Sequence, residues 1–313
     1  GTNRIISSIR TSKAIPFRMA PLIFVSTVIT HLFGGSAGRE GAALQIGGSI
    51  GSSIGKVLKL DEKDIHIITM CGMSGVFSAL FGTPITATIF SMEVISVGVL
   101  YYVAFIPCLV SAYISLHFAE HFGIKPEAFS IRHIPKADIE TIIRVVILSV
   151  LCAGVSMAFC FIINKTTKLY KRYLSNPYLR AAVGGMVVVL LTVLVQTHDY
   201  NGAGMDVIAK ALGGEARYEA FLLKILFTVI SISAGFKGGE IVPSFFIGST
   251  FGCIFGQLIG LPAEFTASLG MVGVFCGVTN CPIASLLIGF ELFGYQNAYY
   301  LLIVTAISYM LSG

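Results

Sequence analysis

The chain has 313 residues, 55% of them apolar and only 12% charged, with a formal net charge of +5. Soluble domains carry roughly a quarter charged residues, so this composition excludes a water-soluble globular protein and places the chain in a lipid bilayer. The seven cysteines (Cys71, Cys108, Cys152, Cys160, Cys253, Cys276 and Cys281) lie singly inside apolar runs without metal-ligand spacing, which reads them as small buried hydrophobes.

In chain order, apolar runs are expected at 19–33, 41–58, 64–82, 85–119 (broken near 98), 138–163, 179–197, 217–234, 243–260, 264–293 (broken at 280–282) and 296–311. Several fall short of the ~20 residues that a clean helical crossing needs, and glycine or proline interrupts many. Short, broken segments imply a site built from discontinuous helices, because irregular backbone survives at membrane depth only under a cover of protein or a polar cavity. The basic residues sit in the connections, so the positive charge is not a nucleic-acid signature. Lys165, Lys168, Lys171, Arg172 and Arg180 crowd one short, acid-free connection, which the positive-inside rule makes cytoplasmic. The 124–137 connection is mixed (Lys125, Glu127, Arg132, Lys136) and lies outside if 138–163 crosses once. The chain opens on Gly1-Thr2-Asn3, with neither an initiating Met nor a secretory leader, and reads as one transmembrane domain cut at both ends.

One segment occurs twice. Gly47, Gly51 and Gly55 recur 201 positions on as Gly248, Gly252 and Gly256. Gly72-Met73-Ser74-Gly75-Val76-Phe77 matches Gly270-Met271-Val272-Gly273-Val274-Phe275, 198 positions on, and Pro84 and Glu93 recur at that offset as Pro282 and Glu291. Two long copies are too few for a solenoid. In an apolar chain they are the halves of a transporter with the substrate site where the halves meet: residues 1–123, a connection at 124–136, and residues 137–313.

Glu40 carries the first chemistry. A carboxylate between glycines, entering an apolar helix, is expensive at membrane depth and is a functional candidate by default. The helix it begins offers free N–H groups and a positive dipole end to an anion, and Gly38 and Gly41 allow close backbone approach. The carboxylate, itself an anion, can occupy the same site and leave it once protonated, so one residue can gate anions and carry protons. The alternative is a capping glutamate in an interfacial loop; a second glutamate, Glu240, at a second helix start weighs against it.

The string Gly38-Arg39-Glu40-Gly41, followed by Gln45-Ile46-Gly47-Gly48, is similar to the gating-glutamate motif of the CLC family of chloride channels and anion/proton exchangers. Ala42 stands where that motif usually has proline. Gly239-Glu240-Ile241-Val242-Pro243 resembles the family's second anion-binding loop. Gly202-Ala203-Gly204 looks like the second-half copy of its first anion loop, for which Gly1-Thr2-Asn3 is the first-half candidate. The resemblance covers nearly the whole chain. It implies an all-α, polytopic fold of two inverted-topology repeats with broken, tilted helices, a mid-membrane anion site, a homodimer and a place in the cell membrane; nothing in the residues suggests a cofactor or metal.

Three departures narrow the resemblance. Chloride/proton exchangers have a second, cytoplasm-facing glutamate where this chain has Val94. Chloride-type second loops are apolar where Glu240 stands. The usual anion-coordinating serine of the first loop is replaced by Thr2 or Asn3. This set is similar to the CLC-F branch, which exchanges fluoride for protons. It implies Glu40 as outer gate and proton carrier, Glu240 as inner proton acceptor, and anion binding by Thr2 or Asn3 with the backbone of Gly38, Arg39, Gly41, Gly239, Ile241 and Val242. The family's pore aromatic would follow Gly313. A chloride/proton exchanger or passive chloride channel of the same fold is the alternative.

Other features have plainer readings. His117-Phe118-Ala119-Glu120-His121 fits an H-x-x-E-H metallopeptidase string and supports a remote zinc-hydrolase alternative, but it closes an apolar run without a third ligand and reads as a polar helix end. Glu93 and Glu291 relay protons or, more in keeping with their burial, satisfy nearby backbone donors. The glycines at four-residue spacing serve close helix packing. Lys224 either snorkels to an interface or adds positive potential near the pore. Thr279-Asn280 is a polar lining or, preferably, a helix-start cap.

Overall fold

The structure is a computed structural model that describes residues 15–95, 100–124, 129 and 131–313. Their regular elements are thirteen α-helices and one short 3-10 turn, Tyr102–Ala104. Two contact-dense units divide the chain. Of the described residues, the first holds 15–26, 40–95, 100–124 and Ile283–Leu292; the second holds Thr27–Arg39, 129, 131–282 and Phe293–Gly313.

The first unit takes the start of α1 (Met19–Leu32), then α2 (Glu40–Val57), α3 (Glu62–Phe81), α4 (Pro84–Glu93), α5 (Phe105–His121) and α12 (Pro282–Phe293). Asp61 caps α3, its side chain accepting from the Asp64 N–H, and Gly82 closes it in the left-handed region. Helices α2 and α3 meet backbone to backbone. A Cβ at Gly47 would strike the Gly72 carbonyl, and one at Gly51 would strike that of Ile68. The small-residue stripe is therefore a packing device, as expected.

Within this unit α4 and α12 cap each other. The N–H groups of Ile85 and Thr86, opening α4, donate to Glu291 Oε1 and Oε2 at 2.9 and 2.7 Å. The N–H groups of Ile283 and Ala284, opening α12, donate to Glu93 Oε1 and Oε2 at 3.2 and 2.8 Å. A helix start leaves four amides without intrahelical partners. Here proline at the first position (Pro84, Pro282) removes one, and a carboxylate from the other helix takes the next two. The two sets sit 198 residues apart, so the repeat seen in sequence is also a repeat of hydrogen bonds.

The second unit contains the end of α1, then α6 (Ile139–Tyr173), α7 (Pro177–Val195), α8 (Met205–Leu212), α9 (Ala220–Ala234), α10 (Ile241–Leu258), α11 (Ala263–Thr279) and α13 (Ala298–Ser312). Helix α10 is buried nearly all round and packs on α11 through the same device as its counterpart, with Gly248 against the Gly270 carbonyl and Gly252 against that of Thr266. By contrast α7 exposes Met186, Val189, Leu190, Val193 and Leu194, an apolar face suited to lipid. Five of the described helices are long and apolar enough to cross a membrane: α3, α6, α7, α10 and the stretch Tyr102–His121.

Three expectations need correction. The basic connection is mostly helix: α6 runs 35 residues to Tyr173, about 50 Å at 1.5 Å per residue. It carries Lys165, Lys168, Lys171 and Arg172 in its last turns, where lysine and arginine are good helix formers and suit the negative dipole end. Arg180 belongs to α7 and donates through Nε to the Ala234 carbonyl at 3.2 Å. Thr279-Asn280 ends a helix rather than starting one. Asn280 is the left-handed C-cap of α11 (φ 55°), at the place Gly82 holds in α3, because asparagine tolerates that conformation. Finally, the amphipathic α8 has no counterpart among the apolar runs, since Asp206 and Lys210 interrupt it. Of the mixed 124–137 connection, Lys125 and Glu127 lie outside the described residues, as do Gly1, Thr2 and Asn3.

Candidate functional site

The site grows from two glycine loops in the second unit. Gly38 and Gly239 form a two-residue antiparallel bridge: the Gly38 N–H donates to the Gly239 carbonyl at 2.8 Å, and the Gly239 N–H to the Gly38 carbonyl at 2.7 Å. The approach is tight, because a Cβ at Gly238 would strike the Ala37 side chain. Crossed side-chain bonds hold the loops. The Ser36 N–H donates to Ser231 Oγ at 2.9 Å, and the Lys237 N–H to Thr30 Oγ1 at 3.1 Å. These partners exchange under the 201-residue offset, so the loops are related by an approximate twofold. Ser36 Oγ also pairs with Thr228 Oγ1 at 3.0 Å, and the Gly202 N–H donates to the Gly35 carbonyl at 3.1 Å.

A helix leaves each side of the bridge two residues on: α2 begins at Glu40 and α10 at Ile241. Helix starts carry unpaired N–H groups and partial positive charge. Pro243, third in α10, stands where no intrahelical N–H is needed, and Ala42 takes the corresponding place in α2. Glu40 is buried, with 2% exposure, whereas Arg39 and Glu240 are exposed. Behind Glu40, Gln45 Nε2 donates to the Gly41 carbonyl at 2.8 Å.

The bridge thus brings Gly38 and Arg39 beside Gly239 and Glu240, with Gly41, Ile241 and Val242 in the first turns of their helices. It also refines the register. Glu40 is the first residue of its helix, whereas Glu240 precedes its helix as the N-cap, without a side-chain capping bond. Under the offset Glu40 corresponds to Ile241, and Glu240 to Arg39. The glutamates are not copies of one residue; each half contributes its acid from a different rung.

Glu93, 4% exposed, and Glu291 satisfy backbone donors, as the plainer of their two readings holds. The His117 string ends α5 on an exposed surface, where His117 Nδ1 pairs with Glu120 Oε2 at 3.0 Å. Among the described residues no group of three or more His, Cys, Asp or Glu side chains is gathered to hold a metal ion. Lys224 does not snorkel: it is fully buried in α9. Its surroundings lay beyond sequence reading, since they depend on the fold of the 198–204 loop.

Comparison with known proteins agrees with this architecture. Residues 1–313 match the family described as voltage gated chloride channel. A relative from Pseudomonas syringae pv. tomato named "Chloride/fluoride channel protein" is 33% identical over all of this chain and 71% of its own length. The H(+)/Cl(-) exchange transporter ClcA of Vibrio cholerae is 22% identical over 92% of this chain and 64% of its own. Among solved structures, a CLC-type fluoride/proton antiporter superposes with a TM-score of 0.96 at 34% identity, over 100% of this chain and 79% of that one. A slow cyanobacterial Cl−/H+ antiporter gives 0.84 at 20% identity, over 100% and 76%, a likeness of fold alone. The reciprocal hydrogen bonds, the glycine-led helix starts and a family match along the whole length lead to one conclusion: the chain belongs to the CLC family, with its all-α, membrane-spanning fold of two inverted repeats.

Proposed function

We propose that the protein exports fluoride in exchange for protons, as a homodimer in the cell membrane with a halide and protons as its substrates. One observation carries the reading: Gly38 and Gly239 pair back to back, and each glycine loop runs on along the chain into an acid at a helix start, Glu40 or Glu240. Helix-terminal amides are fixed, short-range donors. A small, strongly hydrated anion such as fluoride must exchange its water for such donors. In this reading the backbone of Gly38, Arg39, Gly41, Gly239, Ile241 and Val242, with Thr2 or Asn3, holds the anion. Glu40 competes for that place when ionised and leaves it when protonated, while Glu240 passes the proton on the inner side. The names of two similar proteins, a fluoride/proton antiporter and a chloride/fluoride channel protein, support fluoride over chloride. Val94, in place of the acid of chloride/proton exchangers, supports it too.

The test is anion-resolved efflux from liposomes holding the complete protein and loaded with fluoride or chloride. Fluoride is expected to leave at least tenfold faster. Equal release returns the protein to chloride transport within the same family.

A further inference from the structure

Lys224 lies in the second turn of α9, has no exposed surface, and takes no part in the proposed transport steps. An ammonium so placed is costly unless its donors are met. Two of its three donor directions are met by carbonyls of one loop: Nζ donates to the Tyr200 oxygen at 3.2 Å and to the Gly202 oxygen at 2.8 Å. The Phe246 ring of α10 lies 4.9 Å away, at cation–π distance. The loop is moulded to this pair. Gly204 has φ 80°, and a Cβ there would fall 2.6 Å from the Phe246 ring and 3.4 Å from Nζ. Tyr200 also lines a cavity of about 350 Å³ with Asp199, Lys210, Glu215 and Arg217.

A trans peptide points its C=O and N–H in opposite directions, and the described peptides are all trans. Holding the Tyr200 and Gly202 oxygens on Nζ therefore turns the Asn201 and Ala203 N–H groups away from the lysine. The Asn201 N–H meets the His198 carbonyl at 3.0 Å, and the Gly202 N–H meets Gly35 at 3.1 Å, three residues before the bridge glycine Gly38. Hydrogen bonds thus run from Lys224 through Gly202 to Gly35, three residues along the chain from the bridge glycine. Under the 201-residue offset Lys224 corresponds to Ile23, a buried apolar residue, so this clamp belongs to one half only.

We propose that Lys224 is a positioning residue of the anion pathway. By sequestering two carbonyls of the Tyr200–Gly204 loop it keeps the negative ends of those peptides off the anion and holds the Gly35–Gly38 segment in its bridging register. The proposal rests on the antiport reading above and deepens it.

The test compares Lys224→Met, Lys224→Gln and Lys224→Arg of the complete protein in liposomes, with both fluoride and chloride. Measurements are the half-saturating halide concentration, the maximal rate and the protons moved per halide. Lys224→Met is expected to raise the half-saturating concentration tenfold or more at an unchanged proton-to-halide ratio, and Lys224→Arg to restore it to within threefold of wild type. A folded Met variant with wild-type half-saturation overturns the proposal. So does a loss of maximal rate alone, which a purely structural lysine produces. If the Met variant does not fold, Gln against Arg decides: a tenfold gap supports the clamp and equal values contradict it. Should the wild type carry chloride rather than fluoride, the fluoride reading fails, while the lysine's effect is still read on chloride.

Discussion

The two pairs of acids in this protein are built in opposite ways. Glu93 and Glu291 end helices that lie head to tail, and each gives both oxygens to the opening amides of its neighbour. Their oxygens are taken up inside the protein, and motion would break two hydrogen bonds at once. Glu40 and Glu240 stand instead at the mouths of α2 and α10, next to loops joined by a glycine bridge. An acid that clamps two helices is a poor carrier, because releasing it costs its hydrogen bonds. An acid at a helix mouth has amides that bind equally well to an incoming anion. Burial alone does not separate these roles, since Glu40 and Glu93 are both nearly inaccessible.

Substitutions sharpen the contrast. The largest effect is expected at Glu40. Glu40→Gln mimics the protonated side chain but has no proton to release, so halide-driven proton movement into liposomes should fall at least a hundredfold, whether or not passive anion flow remains. Proton pumping that persists in this variant removes Glu40 from the mechanism. Smaller effects, confined to folding, are expected at the clamp. Glu93→Ala leaves two amides of α12 without their acceptor, and a buried unpaired donor costs about 1–3 kcal/mol. The yield of monodisperse protein and the thermal midpoint should fall, and Glu291→Ala should match it because the bonds are reciprocal. A stability loss at only one of them breaks the idea of a symmetric clamp.

Much of this architecture was legible in the residues. The 201- and 198-residue offsets located both helix pairs and the clamp acids, because close backbone contact demands glycine and a broken helix restarts well with proline. The details that escaped were those in which neighbouring structure decides. The lysines after Ile163 read as a loop by charge, yet as good helix formers they extend α6. Asn280 read as a cap at a helix start, but its left-handed backbone makes it a stop. Glu40 and Glu240 both read as acids at helix starts, but Glu40 is the first residue of its helix while Glu240 is the N-cap of its own. Lys224 stayed ambiguous because its acceptors are carbonyls, which any sequence supplies.

The most direct test of the division between carriers and clamps sets Glu240→Gln beside Glu93→Gln in the complete protein, with proton uptake driven by a fluoride gradient. The account predicts that Glu240→Gln abolishes or strongly slows coupled exchange in well-folded protein. It predicts that Glu93→Gln lowers folded yield, while the protein that folds exchanges with wild-type coupling. The reverse outcome, coupling lost at Glu93 and kept at Glu240, would make the loop glutamate a structural cap and contradict the account.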